Sequence, residues 1–128
     1  MIKLTEPDVE LVHRYVELLQ SIEEGLKYVE VSFDDYGKTE GDLVLGDVLD
    51  ALAQVQSANA QLQVIFAEEH SIVETIQQYG AVVNQCFKLE GKMELPHEKQ
   101  EVVKQSIIPA FLAWKQSMES NLKSYIIQ

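Results

Sequence analysis

The sequence predicts an all-α protein, an up-down-up-down antiparallel four-helix bundle whose last helix is kinked or split at Pro109. Apolar residues recur at alternating spacings of three and four along most of the chain, which is the period of an amphipathic helix. Capping and turn signals divide this pattern into four segments with short connections, and such helices pack most simply as antiparallel neighbours. A chain of 128 residues fits one domain, so we expect residues 1–128 to form a single helical bundle.

The first helix is predicted from residue 6 to about residue 36. Thr5 is the expected N-cap, Pro7 suits the first turn, and Asp8 stands at the third helical position, where an acid answers unpaired amides. At about 1.5 Å per residue this helix is about 45 Å long. One apolar stripe follows it: Val12, Tyr15, Leu19, Ile22, Leu26, Val29 and Phe33.

The second helix follows a glycine stop at Gly37 and a predicted cap, Thr39-x-x-Asp42. Asn59 falls on its otherwise apolar stripe. We expect this amide at the edge of the stripe, in contact with solvent; the alternative is a buried partner that fixes the helix register. The stripe comprises Leu45, Val48, Leu52, Val55, Asn59, Leu62 and Phe66.

The third and fourth helices differ in length. Ser71-x-x-Glu74 reads as a capping box, so the third helix is expected to open at Ile72 and to stop at Gly91, a length of about 28 Å. Pro96 suits the start of the fourth helix. Within it, Pro109 lacks an amide hydrogen and its ring clashes with the preceding turn, which predicts the kink or split near Ile108.

This topology places the chain segments at two ends of the bundle. The start of helix one, the helix 2–3 turn and the end of helix four share what we call the proximal end. The end of helix one, the start of helix two and the helix 3–4 turn share the distal end. The short third helix is expected to run out before it covers the distal end.

The distal end is therefore the predicted partner-binding site. Uncovered apolar side chains there would form a groove for an apolar helix face of a partner. The alternative is that residues 91–96, "GKMELP", fold over these side chains and complete the core. The predicted partner-binding residues are Phe33, Tyr36, Leu43 and Leu45 with the acids Asp34, Asp35 and Asp42.

Charge limits the classes of partner. The net charge is −11, and residues 1–70 carry all of it, with 15 acids against 4 Lys and Arg. Nucleic acid and anionic membrane surfaces both require basic residues, so neither is expected as a partner. One cysteine, Cys86, permits no internal disulfide, and the N-terminal residues lack the apolar core of a signal peptide. The expected location is the cytoplasm.

Enzymatic chemistry has little support in the sequence. No calcium-loop frame, phosphate-binding glycine loop or nucleophile motif is present, and we expect no cofactor. A metal-binding bundle enzyme is one alternative, because Glu10, His13 and His70 are all expected at the proximal end. A bundle that binds a small apolar ligand in an internal cavity is another.

One segment resembles a known family. Ala110 to Met118, "AFLAWKQSM", is similar to the last helix of the flagellin-type export chaperones, small bacterial helical bundles that hold helices of a partner. The short third helix and the acidic first half predict a non-enzymatic cytosolic bundle that acts through protein–protein contact, as an adaptor, a regulator or a chaperone-like protein. Its partner is expected to be another protein or a second copy of itself.

Overall fold

The computed structural model describes residues 2–38 and 40–126, and for residues 36–38 it describes the backbone alone. The described residues form helices and turns without a strand, so the predicted all-α bundle is confirmed. The α-helices are α1 (Glu6–Ser32), α2 (Gly41–Ile65), α3 (His70–Gln78), α4 (Gly80–Cys86), α5 (Pro96–Val102) and α6 (Ile108–Ile126). In the part of the chain so described, no helix is long and apolar enough to cross a membrane.

Helix α1 begins as predicted and ends earlier. The Asp8 amide donates to Thr5 Oγ1 at 3.2 Å, and the Thr5 amide donates to Asp8 Oδ2 at 3.3 Å, which makes a reciprocal cap. The regular helix stops at Ser32, and short 3-10 turns within Phe33–Lys38, interrupted by the non-helical backbone of Asp35 (φ −149°, ψ 58°), continue to the corner. The first six stripe residues, Val12 to Val29, are all buried in the core.

Helices α1 and α2 approach each other closely at a glycine. A Cβ atom added to Gly25 would lie 2.7 Å from Val48 Cγ2, which is closer than carbon atoms tolerate. Helix α2 begins at Gly41 with Glu40 as its N-cap, and that cap makes no side-chain hydrogen bond. The predicted cap residue Thr39 lies outside the described residues. All seven stripe residues of α2 are buried.

Asn59 is buried rather than solvated, which corrects the expected edge position. Its residue surface is 5% exposed, and Tyr15 Oη donates a 2.5 Å hydrogen bond to Asn59 Oδ1. The pair joins α1 to α2 inside the apolar stripe. A buried polar group of this kind favours one helix register, because sliding the helices would leave both groups without partners.

The third predicted helix consists of α3 and α4, which we together call helix three. Tyr79 between them keeps helical backbone angles (φ −60, ψ −23). The capping box predicted at Ser71 is wrong: Glu69 is the N-cap, and Ser71 lies inside α3. There the Ser71 carbonyl accepts from Thr75 Oγ1 at 2.8 Å. Helix three ends in a 3-10 turn, Phe87–Leu89, and Gly91 has the left-handed φ of 76° expected of a stop.

The fourth predicted helix, which we call helix four, consists of α5, a π-helical segment and α6. Pro96 begins α5 as predicted. The π-helix, Val103–Ile107, ends two residues before Pro109, so the regular hydrogen-bond pattern changes close to the predicted position. Helical structure is continuous from residue 96 to residue 126, and a bend of the axis at Pro109 stays a prediction.

The predicted grouping of segments at the two ends is confirmed. At the proximal end, Tyr125 Oη donates to Glu69 Oε1 at 2.8 Å and accepts from the Ile2 amide at 3.1 Å. This one hydroxyl joins the chain start, the helix 2–3 turn and the end of α6. At the distal end, Lys99 of α5 pairs with Asp42 of α2.

Candidate functional site

The distal end owes its shape to the early end of helix three. After Leu89 the chain turns through residues 90–95, held by a bond from the Lys92 amide to the Leu89 carbonyl (2.9 Å) and one from the Leu95 amide to the Lys92 carbonyl (3.0 Å). Leu89 is 4% exposed and closes the core beneath this turn. The turn thus occupies the place that a longer third helix would fill.

Lys99 ties this turn to the opposite side of the bundle. Its Nζ donates to Asp42 Oδ1 at 2.6 Å and to the Met93 carbonyl at 3.0 Å, and its side chain is only 3% exposed. Helices two and four stand diagonally in an up-down-up-down bundle, so this ion pair spans the level at which helix three has ended. We call the unit of Lys99, Asp42 and the Met93 carbonyl the lysine bridge.

The sequence left open whether residues 91–96 cover the distal end, and the contacts around the lysine bridge bear on this point. The turn lies against α2 through Lys99, and Leu89 fills the core below it. Met93 and Leu95 nevertheless remain 38% and 46% exposed, and Leu43 beside Asp42 is 63% exposed. Leu89, just before the turn, therefore fills the core, and the turn itself adds apolar side chains to the surface.

Exposed large apolar side chains concentrate at this end. Among the described residues, all but Val64 belong to the end of α1, the start of α2, or the connection from helix three to helix four. Single exposed apolar residues are ordinary on a protein surface, whereas a concentration at one end is typical of an interaction site. We call this set the distal apolar patch: Tyr28, Val31, Leu43, Phe87, Met93 and Leu95.

The residues predicted from sequence fall into two layers. Leu45 is fully buried and Phe33 is half-buried against the core, so both lie beneath the surface. Leu43 is exposed, as are Asp34 and Asp35. Asp42 is exposed and held by Lys99. The side chain of Tyr36 lies outside the described residues, and the binding role of the whole set stays a prediction.

Sequence reasoning passed over Tyr28 and Val31. Both lie away from the apolar stripe of α1, and the signal for them was their large apolar side chains among the charged residues of that outer face. Tyr28 also helps to hold the corner, because the Glu40 amide donates to its Oη at 3.3 Å. The apolar stripe pointed instead to residues such as Leu45, which are buried in the core.

The charge around the distal apolar patch is uneven. Residues 27–50 hold seven acids against two lysines, whereas residues 87–98 hold three acids and two lysines. Asp34, Asp35, Glu40 and Asp47 are exposed on the first of these segments. The corner between α1 and α2 is therefore the acidic side of the patch.

A second ionic group joins α1 to α6 away from the patch. Lys115 Nζ lies 3.1 Å from Glu23 Oε1 and 2.9 Å from Glu119 Oε1, and Lys27 donates to Glu23 at 3.0 Å. Hydrogen bonds from Lys27 and Lys115 lower the pKa of Glu23. Burial opposes the charge of Lys115, but its two glutamate partners outweigh burial and raise its pKa. These ion pairs link α1 to α6, and we interpret them as a structural contact between the two helices.

Among the described residues, no set of ligands supports the alternative of a metal site. His13, His70 and Glu10 are exposed, and Glu10 forms an ion pair with Arg14. Across residues 2–38 and 40–126, no group of three or more His, Cys, Asp or Glu is placed to hold a metal ion. Cys86 is half-buried, and burial raises the pKa of its thiol, which disfavours the nucleophilic thiolate.

The alternative of a small apolar ligand predicts an enclosed cavity. A cavity of about 590 Å³ lies between α1 and α2 near the proximal end, with Leu11, Ile65 and Val64 in its lining. Val64 is 78% exposed. The cavity is an open surface groove of a kind that helix pairs commonly leave, and it does not match the enclosed pocket typical of small-ligand binding.

Comparison with known proteins identifies the family. A profile of the family described as "Domain of unknown function (DUF8042)" matches residues 10–117, which include most of all four helices. The chain belongs to this family. The matched residues of the DUF8042 domain include the whole distal apolar patch and the lysine bridge, so both lie within the family's own fold.

A relative of this DUF8042 protein occurs in a bacterium. The chain is 24% identical over 120 residues to the "Uncharacterized protein YvzG" of Bacillus subtilis (strain 168), which covers 94% of this chain and 95% of the relative. No solved structure matches the chain. Neither name states an activity, so the resemblance of residues 110–118 to the export chaperones stays a prediction.

Proposed function

We propose that this DUF8042 protein is a non-enzymatic cytoplasmic bundle that acts by binding another protein at its distal end. The observation that carries the proposal is the distal apolar patch, where every exposed large apolar side chain of the described residues except Val64 is found. Removal of such a patch from water by a partner supplies favourable free energy of about 25 cal/mol per Å² of apolar surface.

The way the distal end is built supports it, rather than the proximal end, as the binding site. At the distal end, a turn replaces the last part of helix three, and the lysine bridge fixes that turn to α2. The apolar side chains of the turn, Met93 and Leu95, are thus presented on a fixed frame beside Leu43. A fixed apolar surface loses little conformational freedom on binding, which favours affinity.

Photo-crosslinking in the native host tests the proposal. A photoreactive phenylalanine analogue replaces Leu43 in one variant and Val64 in a second, since both side chains are exposed and Val64 lies near the proximal end. We expect one protein to crosslink at position 43 and not at position 64. The crosslink should disappear when Leu95→Asp is added to the first variant, with the thermal stability unchanged.

Two results would count against the proposal. One is an absence of any crosslink at position 43 in cells that express the protein at its native level. The other is equal crosslinking at positions 43 and 64, which indicates contact without a defined site. A second copy bound at the distal end would also crosslink at position 43, as a dimer of the chain. Sedimentation of the purified chain distinguishes this self-association from the binding of another protein.

A further inference from the structure

We infer that the partner presents a basic amphipathic helix to the distal apolar patch, with its lysines or arginines over the corner between α1 and α2. This inference rests on the proposed function and adds the chemistry of the occupant.

The patch has two halves joined by the lysine bridge. Leu43, Val31 and Tyr28 lie on the corner between α1 and α2, while Met93 and Leu95 lie on the turn before α5. Asp42, next to Leu43, and the carbonyl of Met93 both accept from the one Lys99 ammonium. Their common donor brings the start of α2, with Leu43, close to the turn that carries Met93, and we expect a partner element bound there to contact both.

Most of the excess negative charge lies on one half of the patch. The corner segment, residues 27–50, has a net charge of −5 from seven acids and two lysines, and residues 87–98 have a net charge of −1 from three acids and two lysines. Asp42 is held by Lys99, but Asp34, Asp35 and Glu40 also lie on the corner and are exposed. Complementary charge speeds association and disfavours partners of the same sign.

The same charges disfavour a second copy as the occupant. A two-fold dimer places the same patch on both sides of the interface, so the acids of one corner approach the acids of the other or lose water without gaining a partner. A basic segment instead gains an attraction at each exposed acid. Charge complementarity therefore favours a basic partner over self-association.

The shape of the surface favours a helix. The described residues contain no strand, so they offer no sheet edge for an extended peptide to join. A helix presents apolar residues every three or four positions on one face and carries basic residues beside that face. This pattern matches an apolar patch with acids on one flank.

The test uses the full chain and two synthetic amphipathic peptides of about four helical turns. One peptide combines leucine with lysine, and the other has the same leucine positions with glutamate in place of lysine. Binding is measured by fluorescence anisotropy at low and at physiological salt. We expect the lysine peptide to bind, its affinity to fall as salt rises, and the glutamate peptide not to bind.

Variants of the chain locate the binding. Leu43→Asp should abolish binding of the lysine peptide, and Val64→Asp, at a more exposed position near the proximal end, should retain it. Asp34→Asn with Asp35→Asn should weaken binding by about 2- to 30-fold, since it removes two exposed ion pairs of about 0.2–1 kcal/mol each and about 1.4 kcal/mol corresponds to a tenfold change in affinity. The control, Glu68→Gln with Glu74→Gln, makes the same change of net charge on exposed residues of the proximal end and should have no such effect.

The outcomes separate this inference from the proposed function. Equal binding of both peptides would overturn the basic partner and leave apolar docking standing. Binding of neither peptide, with a dimer that Leu43→Asp dissociates, would replace the basic helix with a second copy and again leave the proposed function intact. Binding of neither peptide to a monomeric chain would overturn the inference, and the crosslinking experiment would then decide the proposed function alone.

Discussion

The two ends of the bundle are closed in different ways. At the proximal end, Tyr125 packs edge-on against Phe66 with ring centroids 5.0 Å apart, and its hydroxyl bonds to Glu69 and to the amide of Ile2. All four helices reach this end. At the distal end helix three is missing, and Lys99 holds a six-residue turn, residues 90–95, in its place.

This difference shows how one fold can have a packed end and a receptive end. Where four helices are present, each apolar stripe finds partners inside the bundle. Where only three helices and a turn are present, the core closes over Leu89 while other apolar side chains remain outside. The turn after helix three therefore adds Met93 and Leu95 to the surface that we propose for binding, whereas Tyr28 and Val31 belong to the outer face of α1.

The largest expected effect is a difference in stability between a buried residue and an exposed residue of the distal end. Leu45→Ala should lower the free energy of unfolding by about 2–5 kcal/mol, because this side chain is fully buried and its loss leaves a cavity. Leu43→Ala, two residues away and 63% exposed, should change it by no more than about 0.5 kcal/mol. Urea denaturation measures both, and similar losses for the two variants would refute the layered arrangement.

The next effect concerns the lysine bridge. Lys99→Ala should cost about 1–3 kcal/mol, because the Met93 carbonyl loses a buried donor and the core loses the aliphatic stem. Amides of residues 92–95 should also exchange with deuterium faster than in the parent protein. Lys88→Ala, at an exposed lysine of the same connection, is the matched control and should leave stability and exchange unchanged.

A smaller effect compares one tyrosine hydroxyl at each end. Tyr125→Phe should cost about 0.5–1.5 kcal/mol at the proximal end, because it leaves Glu69 and the Ile2 amide without this partner. Tyr28→Phe, at the distal end, should cost less, since this residue is 44% exposed and water can replace the hydroxyl at the Glu40 amide. Thermal unfolding of the two variants tests the order.

The smallest effect is a pH dependence from the ion network between the two ends. The pKa of Glu23 is lower in the folded state than in the unfolded chain, so its contribution is present above the unfolded pKa of 4.5 and is lost as pH falls through the folded value. Glu23→Gln should therefore make stability fall less steeply below pH 4.5 than in the parent. Parallel pH profiles for the two proteins would exclude this role.

Much of the fold could be predicted because helix period and capping are local properties. Thr5, Pro96 and Gly91 mark boundaries that the structure keeps, and the apolar residues of the two long stripes are buried as the spacing indicated, except for the half-buried Phe33. Ser71 shows where local signals fail. The residues around Ser71 suit a helix cap, yet α3 starts before it. Helix four contacts this part of α3 through Asn121, whose Nδ2 donates to Thr75 Oγ1 at 2.8 Å.

The sequence placed the candidate site at the end where most exposed large apolar side chains lie, but it did not name all of them. The length difference between the first and third helices indicated the distal end, and length can be read from the sequence. Leu45 and Phe33, however, belong to the stripe, and a stripe residue is covered wherever neighbouring helices are present. Tyr28 and Val31 lie outside the stripe, so periodicity gave them no weight.

The sequence by itself determined the helical class, the approximate number and order of helices, the short third helix and the acidic first half, because each follows from the identity and spacing of neighbouring residues. Only the tertiary structure decided that Asn59 pairs with Tyr15 and that Lys99 joins Asp42 to the Met93 carbonyl. These contacts link residues 44 and 57 positions apart in the first two cases. Local patterns cannot specify them, since they arise only when packed helices bring distant side chains together and the buried polar groups must find partners there.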